Sequence, residues 1–309
     1  MTQLLGFGAF LPPGILDNAA LAAELGVDPA WILHACGIEQ RRVAGPDETV
    51  VDLAERAALA CLADAGLPAG ALGGIIVGTG TPERQFPGVS AGLQRRLGAA
   101  GIPAFDIHLA SVGGFFALAT AVALCSSYGP ILVVGAERMS GVMARPPRMK
   151  ETAILFGDGA GACIVAPGEG PVAIQDCRMQ SDGTFAEDLT LGFGGTLEMH
   201  GHNILVQANR KLRQSIEELL ARNGLQVDDI GLWLFHQANG NLLRQVAQAV
   251  KIPEDRVFLN LARYGNTSSA SILIAAAEAR AQGRLRPGYA VMAAFGAGLG
   301  WGSALLRVR

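Results

Sequence analysis

Short apolar runs next to glycines alternate along the chain with longer alanine-rich stretches of helical period. The runs predict buried strands and the longer stretches predict helices, because strands and helices bury apolar residues with different periods. The predicted strands are 74–78, 130–135, 160–166, 231–235 and 289–295, and the predicted helices are 51–65, 112–127, 209–223, 242–250 and 269–282. This alternation is typical of an α/β layer structure in which helices cover the strands.

The pattern also repeats once along the chain. A strand, a helix and a second strand begin near Ile75, Ser111 and Ile131, and each has a counterpart 158 residues later. A constant offset across three elements predicts two similar halves. We therefore expect two equivalent helices to face each other at a pseudo-twofold axis.

Composition narrows the class of protein. Of the 309 residues, 50% are hydrophobic and 17% are charged, which fits a soluble globular protein with a large core. The 41 glycines exceed the usual share and favour an enzyme with glycine-rich loops. A net charge of −3 without a basic stripe argues against a nucleic-acid partner.

Cysteine usage and the N-terminus indicate the compartment. The five cysteines are scattered and form no C-x-x-C pair, so we expect reduced core residues, with neither a disulfide framework nor a metal site. The first residues lack a basic segment, and no apolar run reaches the ~18 residues that a membrane span requires. These features predict a cytoplasmic protein that does not cross a membrane.

Polar side chains interrupt apolar sequence in three segments, 105–116, 235–239 and 264–271. Ser111 lies where a helix begins, so free N–H groups could stabilise an anion there, although an ordinary helix cap is the alternative. His236 follows a predicted buried strand, at the sheet edge where ligands bind, or is a hydrogen-bonded core histidine. Asn266 is either a site residue or the cap of the following helix.

Two other enzyme classes fit parts of the sequence. Ser111, Asp158 and His236 follow the chain order of an α/β-hydrolase triad, but Leu109 breaks the G-x-S-x-G elbow. The glycine-rich segment 295–302 suggests a dinucleotide loop, but its spacing is wrong and no βαβ unit follows. We therefore give both classes little weight.

Taken together, six segments resemble the β-ketoacyl-acyl-carrier-protein synthase III branch of the thiolase superfamily. They are GIEQRRVA at 37–44, GTGTPERQFP at 78–87, LFGDGAGA at 155–162, FHQAN at 235–239, YGNTSSAS at 264–271 and FGAGLGWGSALLR at 295–307. The resemblance implies a thiolase-like, five-layered α-β-α-β-α fold made of two halves. The half 1–167 would carry the nucleophile position, and the half 168–309 would carry the catalytic histidine and asparagine.

The resemblance also implies the site residues. His236 and Asn266 fall on the catalytic histidine and asparagine, and Ser111 falls where the family has its cysteine nucleophile. The Ala297 N–H would complete the oxyanion hole. The other implied residues are Trp31 and Lys150 at the mouth, Gly201, Leu205 and Asn239 along the pantetheine tunnel, and Phe86, which would cross a dimer interface to close the partner subunit's acyl pocket.

The implied activity is acyl transfer and condensation without a permanently bound cofactor. The substrate would be an acyl-CoA or acyl-carrier-protein thioester, and the partners a second copy of the chain and acyl carrier protein or a related ketoacyl synthase subunit. Ala35 and Asn241 replace two family arginines, which weakens the expectation of tight coenzyme A recognition and carrier docking.

Serine at position 111 leaves three interpretations open. A helix terminus and a histidine can ionise a thiol, whereas a hydroxyl needs a base in the reaction itself, and His236 is the candidate, with an ordinary pKa of ~6.5. The chain is then a natural serine acyltransferase, a condensing enzyme engineered from cysteine to serine to trap an acyl ligand, or a silent subunit that supports an active partner.

Overall fold

Strands and helices alternate through residues 1–309, all of which the computed structural model describes. The strands are β1 Thr2–Phe10, β2 Gly14–Asp17, β3 Gln40–Val43, β4 Gly74–Gly78, β5 Ala104–Ile107, β6 Ile131–Arg138, β7 Asp158–Pro167, β8 Val172–Ser181, β9 Leu189–Leu191, β10 Leu197–Met199, β11 Ile230–Phe235, β12 Val257–Phe258, β13 Gly288–Gly296 and β14 Gly300–Val308. The helices are α1 Asn18–Leu25, α2 Pro29–Cys36, α3 Val50–Ala65, α4 Val89–Leu97, α5 Gly113–Tyr128, α6 Met139–Met143, α7 Lys150–Ala153, α8 Gly201–Asn223, α9 Gly240–Val250, α10 Leu261–Tyr264 and α11 Ser271–Ala281.

All ten predicted elements are present. The predicted strands correspond to β4, β6, β7, β11 and β13, and the predicted helices to α3, α5, α8, α9 and α11. Only α8 differs by more than a few residues, since it begins at Gly201 rather than at 209. Its buried side chains begin at Ala208, so the first two turns carry no apolar stripe that the sequence pattern could reveal.

The main sheet has ten strands in the order β5-β4-β6-β7-β1-β8-β14-β13-β11-β12. In the first five, β4 is parallel to β5 and β6, while β7 is antiparallel to β6 and β1. In the last five, β11 is parallel to β12 and β13, while β14 is antiparallel to β13 and β8. The two sets thus have the same topology, which confirms the repeat, and they are joined where β1 pairs with β8.

Helices complete a five-layered arrangement. On one outer face α3 packs against β1, β6 and β7, and on the other α8 packs against β13 and β14. Between them α5 and α11 contact each other and strands of both sets. The predicted α-β-α-β-α fold is therefore confirmed. The strand β7 ends at Pro167 and β8 begins at Val172, so the proposed boundary between 1–167 and 168–309 falls between these two strands.

The five cysteines are all free. Four of them are buried and Cys177 is partly buried, so their predicted location in the core is confirmed. None of the helices combines the length and apolar character that crossing a membrane requires.

Close backbone contact joins the two central helices at their N-termini. A Cβ atom added to Gly114 would lie 2.1 Å from the Ser269 carbonyl oxygen, and one added to Gly135 would lie 2.3 Å from the same oxygen. Glycine is required at both positions because backbone atoms cannot move aside as a flexible side chain can. This contact fixes the start of α5 against the start of α11, where the candidate site residues lie.

We therefore expect Gly114→Ala to destabilise the protein, although alanine is normally the better helix former by ~1 kcal/mol. The clash should lower the free energy of unfolding by about 2–3 kcal/mol. Urea denaturation measures this change as a lower midpoint at unchanged slope.

Gly141→Ala is the matched control, because a Cβ atom on this exposed residue of α6 would meet nothing within 4 Å. Its midpoint should stay the same or rise slightly. Equal midpoints for both variants would contradict the proposed role of the contact.

Candidate active site

Ser111, His236 and Asn266 line one cavity of about 260 Å³ between the two halves of the fold. Each of the three is more than nine-tenths buried. The remaining walls are mostly apolar, and include Ile154, Leu155, Phe156, Leu189, Met199, Ile204, Leu242 and Phe295. The structure thus brings together the three polar residues that the sequence singled out, in a space suited to an apolar group.

Ser111 sits on a tight turn immediately before α5. Its φ of 66° is left-handed, a conformation that non-glycine residues rarely adopt. Its backbone N–H donates to Ser268 Oγ at 2.8 Å. The N-cap of α5 is Val112, and no side chain caps that helix, so the interpretation of Ser111 as an ordinary cap is wrong.

His236 directly follows β11, and its ring is held from the Nδ1 side. Nδ1 lies 2.5 Å from Ser271 Oγ, and the His236 backbone N–H donates to the Ala293 carbonyl. Burial lowers the pKa of His236 to about 4. The imidazole is therefore neutral at physiological pH, and the ordinary pKa near 6.5 that we expected is wrong.

Asn266 is oriented by its own turn. Its Oδ1 accepts a hydrogen bond from the Ser268 N–H at 2.8 Å, which turns the Nδ2 end of the amide away from that bond. Backbone bonds from the Asn266 N–H to the Leu155 carbonyl and from the Gly157 N–H to the Asn266 carbonyl fasten the residue to the LFGDGAGA segment. Asn266 thus stabilises the turn before α11 and also faces the cavity.

Sequence reasoning missed Ser268, which connects the nucleophile turn to a buried carboxylate. Its φ is 47°, and it stands 157 residues after Ser111, so the two left-handed serines are near-equivalents in the two halves. Ser268 Oγ donates to Glu137 at 2.9 Å while it accepts from Ser111. The paired serines of YGNTSSAS and the offset of 158 were the only signals that could have revealed this residue.

Glu137 is fully buried beside the site. Burial raises its pKa, while hydrogen bonds from Thr81, Ser269, Gly80 and Ser268 oppose that rise. Such a set of donors is what a buried carboxylate requires. Glu137 therefore holds the β4 loop and the turn before α11 together.

The structure excludes a serine hydrolase triad. Asp158 accepts hydrogen bonds from the Ala44 N–H and from the Ser140 N–H and hydroxyl. The His236 ring contacts Ser271 and no carboxylate. Asp158 is thus a structural residue of the LFGDGAGA segment, and no cluster of three or more histidine, cysteine or carboxylate groups could hold a metal ion.

Four of the six predicted substrate-binding residues line the cavity: Trp31, Gly201, Leu205 and Asn239. The Lys150 ammonium lies 5.7 Å from the centre of the ring of Trp31, which itself lines the cavity. Phe86 does not line it and is 83% exposed. Four of the six thus line the cavity, Lys150 contacts one of these four, and Phe86 lies on the surface.

Ala35 and Asn241, which stand where the family has arginines, make contacts within the fold. Ala35 lines the cavity, and its carbonyl accepts hydrogen bonds from the Asn239 and Asn241 side chains. Asn241 also donates to the His34 carbonyl, so this asparagine fastens the end of α2 to the start of α9. The nitrogen of its side-chain amide is thus bonded within the fold.

The predicted oxyanion donor is engaged elsewhere. The Ala297 N–H donates to the Ala110 carbonyl at 3.3 Å, a long and weak bond. Gly296 lies against the same turn, because a Cβ atom there would be 2.4 Å from the Ala110 carbonyl oxygen. The Ala297 N–H would reach a substrate only if the bond to Ala110 opens.

Comparisons with known proteins agree with this geometry. Two family models match, one described as 3-oxoacyl-[acyl-carrier-protein] synthase III over residues 105–183 and one as its C-terminal part over 220–308. A β-ketoacyl-[acyl-carrier-protein] synthase III from Oleidesulfovibrio alaskensis is 38% identical over 327 residues, covering 99% of this chain and 98% of its own.

Two solved structures show the same fold at full length. The 3-oxoacyl-[acyl-carrier-protein] synthase III of Aquifex aeolicus superimposes with a TM-score of 0.94 at 35% identity, covering 99% of this chain and 100% of its own. The enzyme of the same name from Pseudomonas aeruginosa gives 0.93 at 36% identity, with 99% and 98% covered.

Proposed function

The chain belongs to the 3-oxoacyl-[acyl-carrier-protein] synthase III family, and from this premise we propose that Ser111 holds the nucleophile position of its site. The protein is an acyl-transferring condensing enzyme. The observation that carries the proposal is the meeting of Ser111, His236 and Asn266 in one largely apolar cavity. Ser111 stands on a strained turn before a central helix, which presents its hydroxyl to that cavity.

In the first step an acyl group passes from a thioester to Ser111. A bond forms between Ser111 Oγ and the acyl carbon, the carbon–sulfur bond breaks, and the hydroxyl proton leaves with the thiol. The product is an oxygen ester, a poorer acyl donor than the thioester that cysteine would form. A serine enzyme of this type should therefore be slow, and acylated enzyme should accumulate.

In the second step a malonyl-type thioester loses carbon dioxide and becomes an enolate. The enolate carbon attacks the acyl carbon, the bond to Ser111 Oγ breaks, and a proton from solvent restores the hydroxyl. His236 and Asn266 stabilise the enolate oxygen, because a neutral imidazole and an amide can both donate hydrogen bonds to a developing negative charge.

The thioester enters through the mouth that Trp31 and Lys150 mark and follows Gly201, Leu205 and Asn239 toward the site. Coenzyme A and acyl carrier protein both present their acyl group on pantetheine, and the largely apolar tunnel suits that arm with its chain. The substrate is thus an acyl-CoA or acyl-carrier-protein thioester, with no resident cofactor. Lys150 lies beside Trp31 and offers a cation to the phosphate of either carrier.

A second copy of the chain completes the assembly in this proposal. Phe86 is 83% exposed, which is unusual for a large apolar side chain, and a two-fold interface would cover it. The dimer would place Phe86 against the partner subunit's acyl pocket.

The experiment combines the natural chain with an acyl thioester and a malonyl thioester and measures 3-oxoacyl product by mass spectrometry. We expect slow product formation that Ser111→Ala abolishes. Product at an equal rate from Ser111→Ala would contradict the nucleophile assignment. No product from the natural chain or from Ser111→Cys would instead indicate a silent subunit.

A further inference from the structure

We propose that Ser271 is a positioning residue that keeps the proton of neutral His236 on Nε2, so that this histidine donates a hydrogen bond to substrate. The catalytic consequence of this inference rests on the proposed function, but the position of the proton on His236 can be measured without substrate. Ser271 is the first residue of α11 and is 2% exposed.

The hydrogen bonds around Ser271 Oγ determine where protons lie. This oxygen has two partners, the Gln237 backbone N–H at 3.1 Å and His236 Nδ1 at 2.5 Å. A backbone N–H can only donate, so Ser271 Oγ accepts from Gln237. The hydroxyl proton of Ser271 then has a single acceptor within reach, His236 Nδ1.

The opposite arrangement would leave a buried donor unpaired. If Nδ1 carried the proton, Ser271 Oγ would accept from both Nδ1 and Gln237, and its own O–H would point at no acceptor. An unpaired buried donor costs stability, so the tautomer with the proton on Nε2 is favoured. Burial also keeps the ring neutral, because the pKa of His236 is lowered to about 4.

Gln237 prevents the serine from turning away. Its side chain donates to the Phe235 and Phe258 carbonyls and accepts from the Asn260 and Leu261 N–H groups. All its hydrogen-bonding groups are thus used, and the backbone N–H of Gln237 stays fixed toward Ser271 Oγ. Ser271 is therefore held between a rigid donor and the imidazole.

This proton position changes the role expected for His236. With its proton on Nε2 and Nδ1 occupied by Ser271, the ring has no free lone pair to accept the hydroxyl proton of Ser111. The histidine is then a donor to the thioester oxygen, as decarboxylation requires, and not the base for acylation. Loading of Ser111 accordingly proceeds without a histidine base.

The test is two-bond ¹H–¹⁵N correlation NMR on protein labelled at its 5 histidines, with His236→Asn identifying the His236 signals. We expect Nε2 protonated and Nδ1 unprotonated in the natural chain at neutral pH. Ser271→Ala should shift the ring toward a mixture of tautomers, and Ser271→Thr, which keeps the hydroxyl, should restore the Nε2–H form. A proton on Nδ1 in the natural chain would overturn the inference.

Ser303→Ala is the matched control, because Ser303 is also a fully buried serine, and its hydroxyl is hydrogen-bonded to Ser215 and not to the His236 ring. Its histidine spectrum should be unchanged. Malonyl-thioester decarboxylation should fall about tenfold to a hundredfold in Ser271→Ala only. If His236 carries its proton on Nε2 but the protein does not decarboxylate malonyl thioester, the inference stands and the proposed function is rejected. An unaltered tautomer in Ser271→Ala would reject the inference.

Discussion

Replacing Ser111 by cysteine is expected to raise the condensation rate by roughly 10²-fold or more. A thiol at the N-terminus of α5 can ionise, and the thiolate attacks a thioester without a base, whereas the Ser111 hydroxyl cannot ionise there. The resulting thioester is also the better acyl donor to an enolate. His236 and Asn266 are already in place, so the substitution supplies the one missing group. Release of 3-oxoacyl product from acyl and malonyl thioesters measures the gain.

The control for this prediction is Ser127→Cys, at the exposed C-terminal end of α5. It adds a thiol to the same helix but at the negative end of its dipole and away from the cavity. We expect no gain in rate from it. A Ser111→Cys protein no faster than the natural chain, with its fold intact, would show that residue 111 is not the nucleophile.

Removing the His236 imidazole should lower malonyl-thioester decarboxylation by about 10²–10³-fold, the loss typical of one oxyanion donor. The rate in the natural chain should stay flat from pH 8 down to about pH 5, since the pKa of His236 is about 4 and the ring remains neutral throughout. The rate should fall only as pH approaches 4. A rate that halves near pH 6.5 would contradict the role of a buried, neutral donor.

The same lowered pKa affects stability in a defined direction. The unfolded chain takes up a proton at His236 below its ordinary pKa of ~6.5, whereas the folded chain does so only below about 4. This contribution is fully present above pH 6.5 and is lost as pH falls toward 4, by roughly 3 kcal/mol in all. His236→Asn should remove that part of the pH dependence, and urea midpoints of both proteins between pH 7 and 5 would reveal it.

The sequence predicted those parts of the fold that have strong local patterns. The buried strand β4 and the helix α3 show clear apolar periods, and the offset of 158 residues indicated the pseudo-twofold pairing of α5 with α11. The strands β1, β8 and β14 were not predicted. In β8 the burial is confined to the first residues, and β14 begins within a glycine-rich segment, so neither has an uninterrupted apolar run.

The same distinction holds for the site. Ser111, His236 and Asn266 could be predicted because each interrupts apolar sequence at the end of a strand or the start of a helix. The roles of Ser268 and Ser271 could not be predicted. Ser268 acts through a hydrogen bond to Ser111 in the other half of the chain, and Ser271 through one to His236, which lies in a separate element of the same half. The depressed pKa of His236 likewise follows from burial, which only the packed structure determines.

Whether residue 111 accepts the acyl group is tested most directly by the mass of the protein after incubation with a panel of short and long acyl thioesters, followed by peptide mapping. We expect one added acyl group in the natural chain, on the peptide that contains Ser111, and none in Ser111→Ala. The same group should appear on the corresponding peptide of the Ser111→Cys protein, at a higher rate. No acyl mass on either the natural chain or the Ser111→Cys protein, or an acyl group on another peptide, would contradict the claim that residue 111 accepts the acyl group.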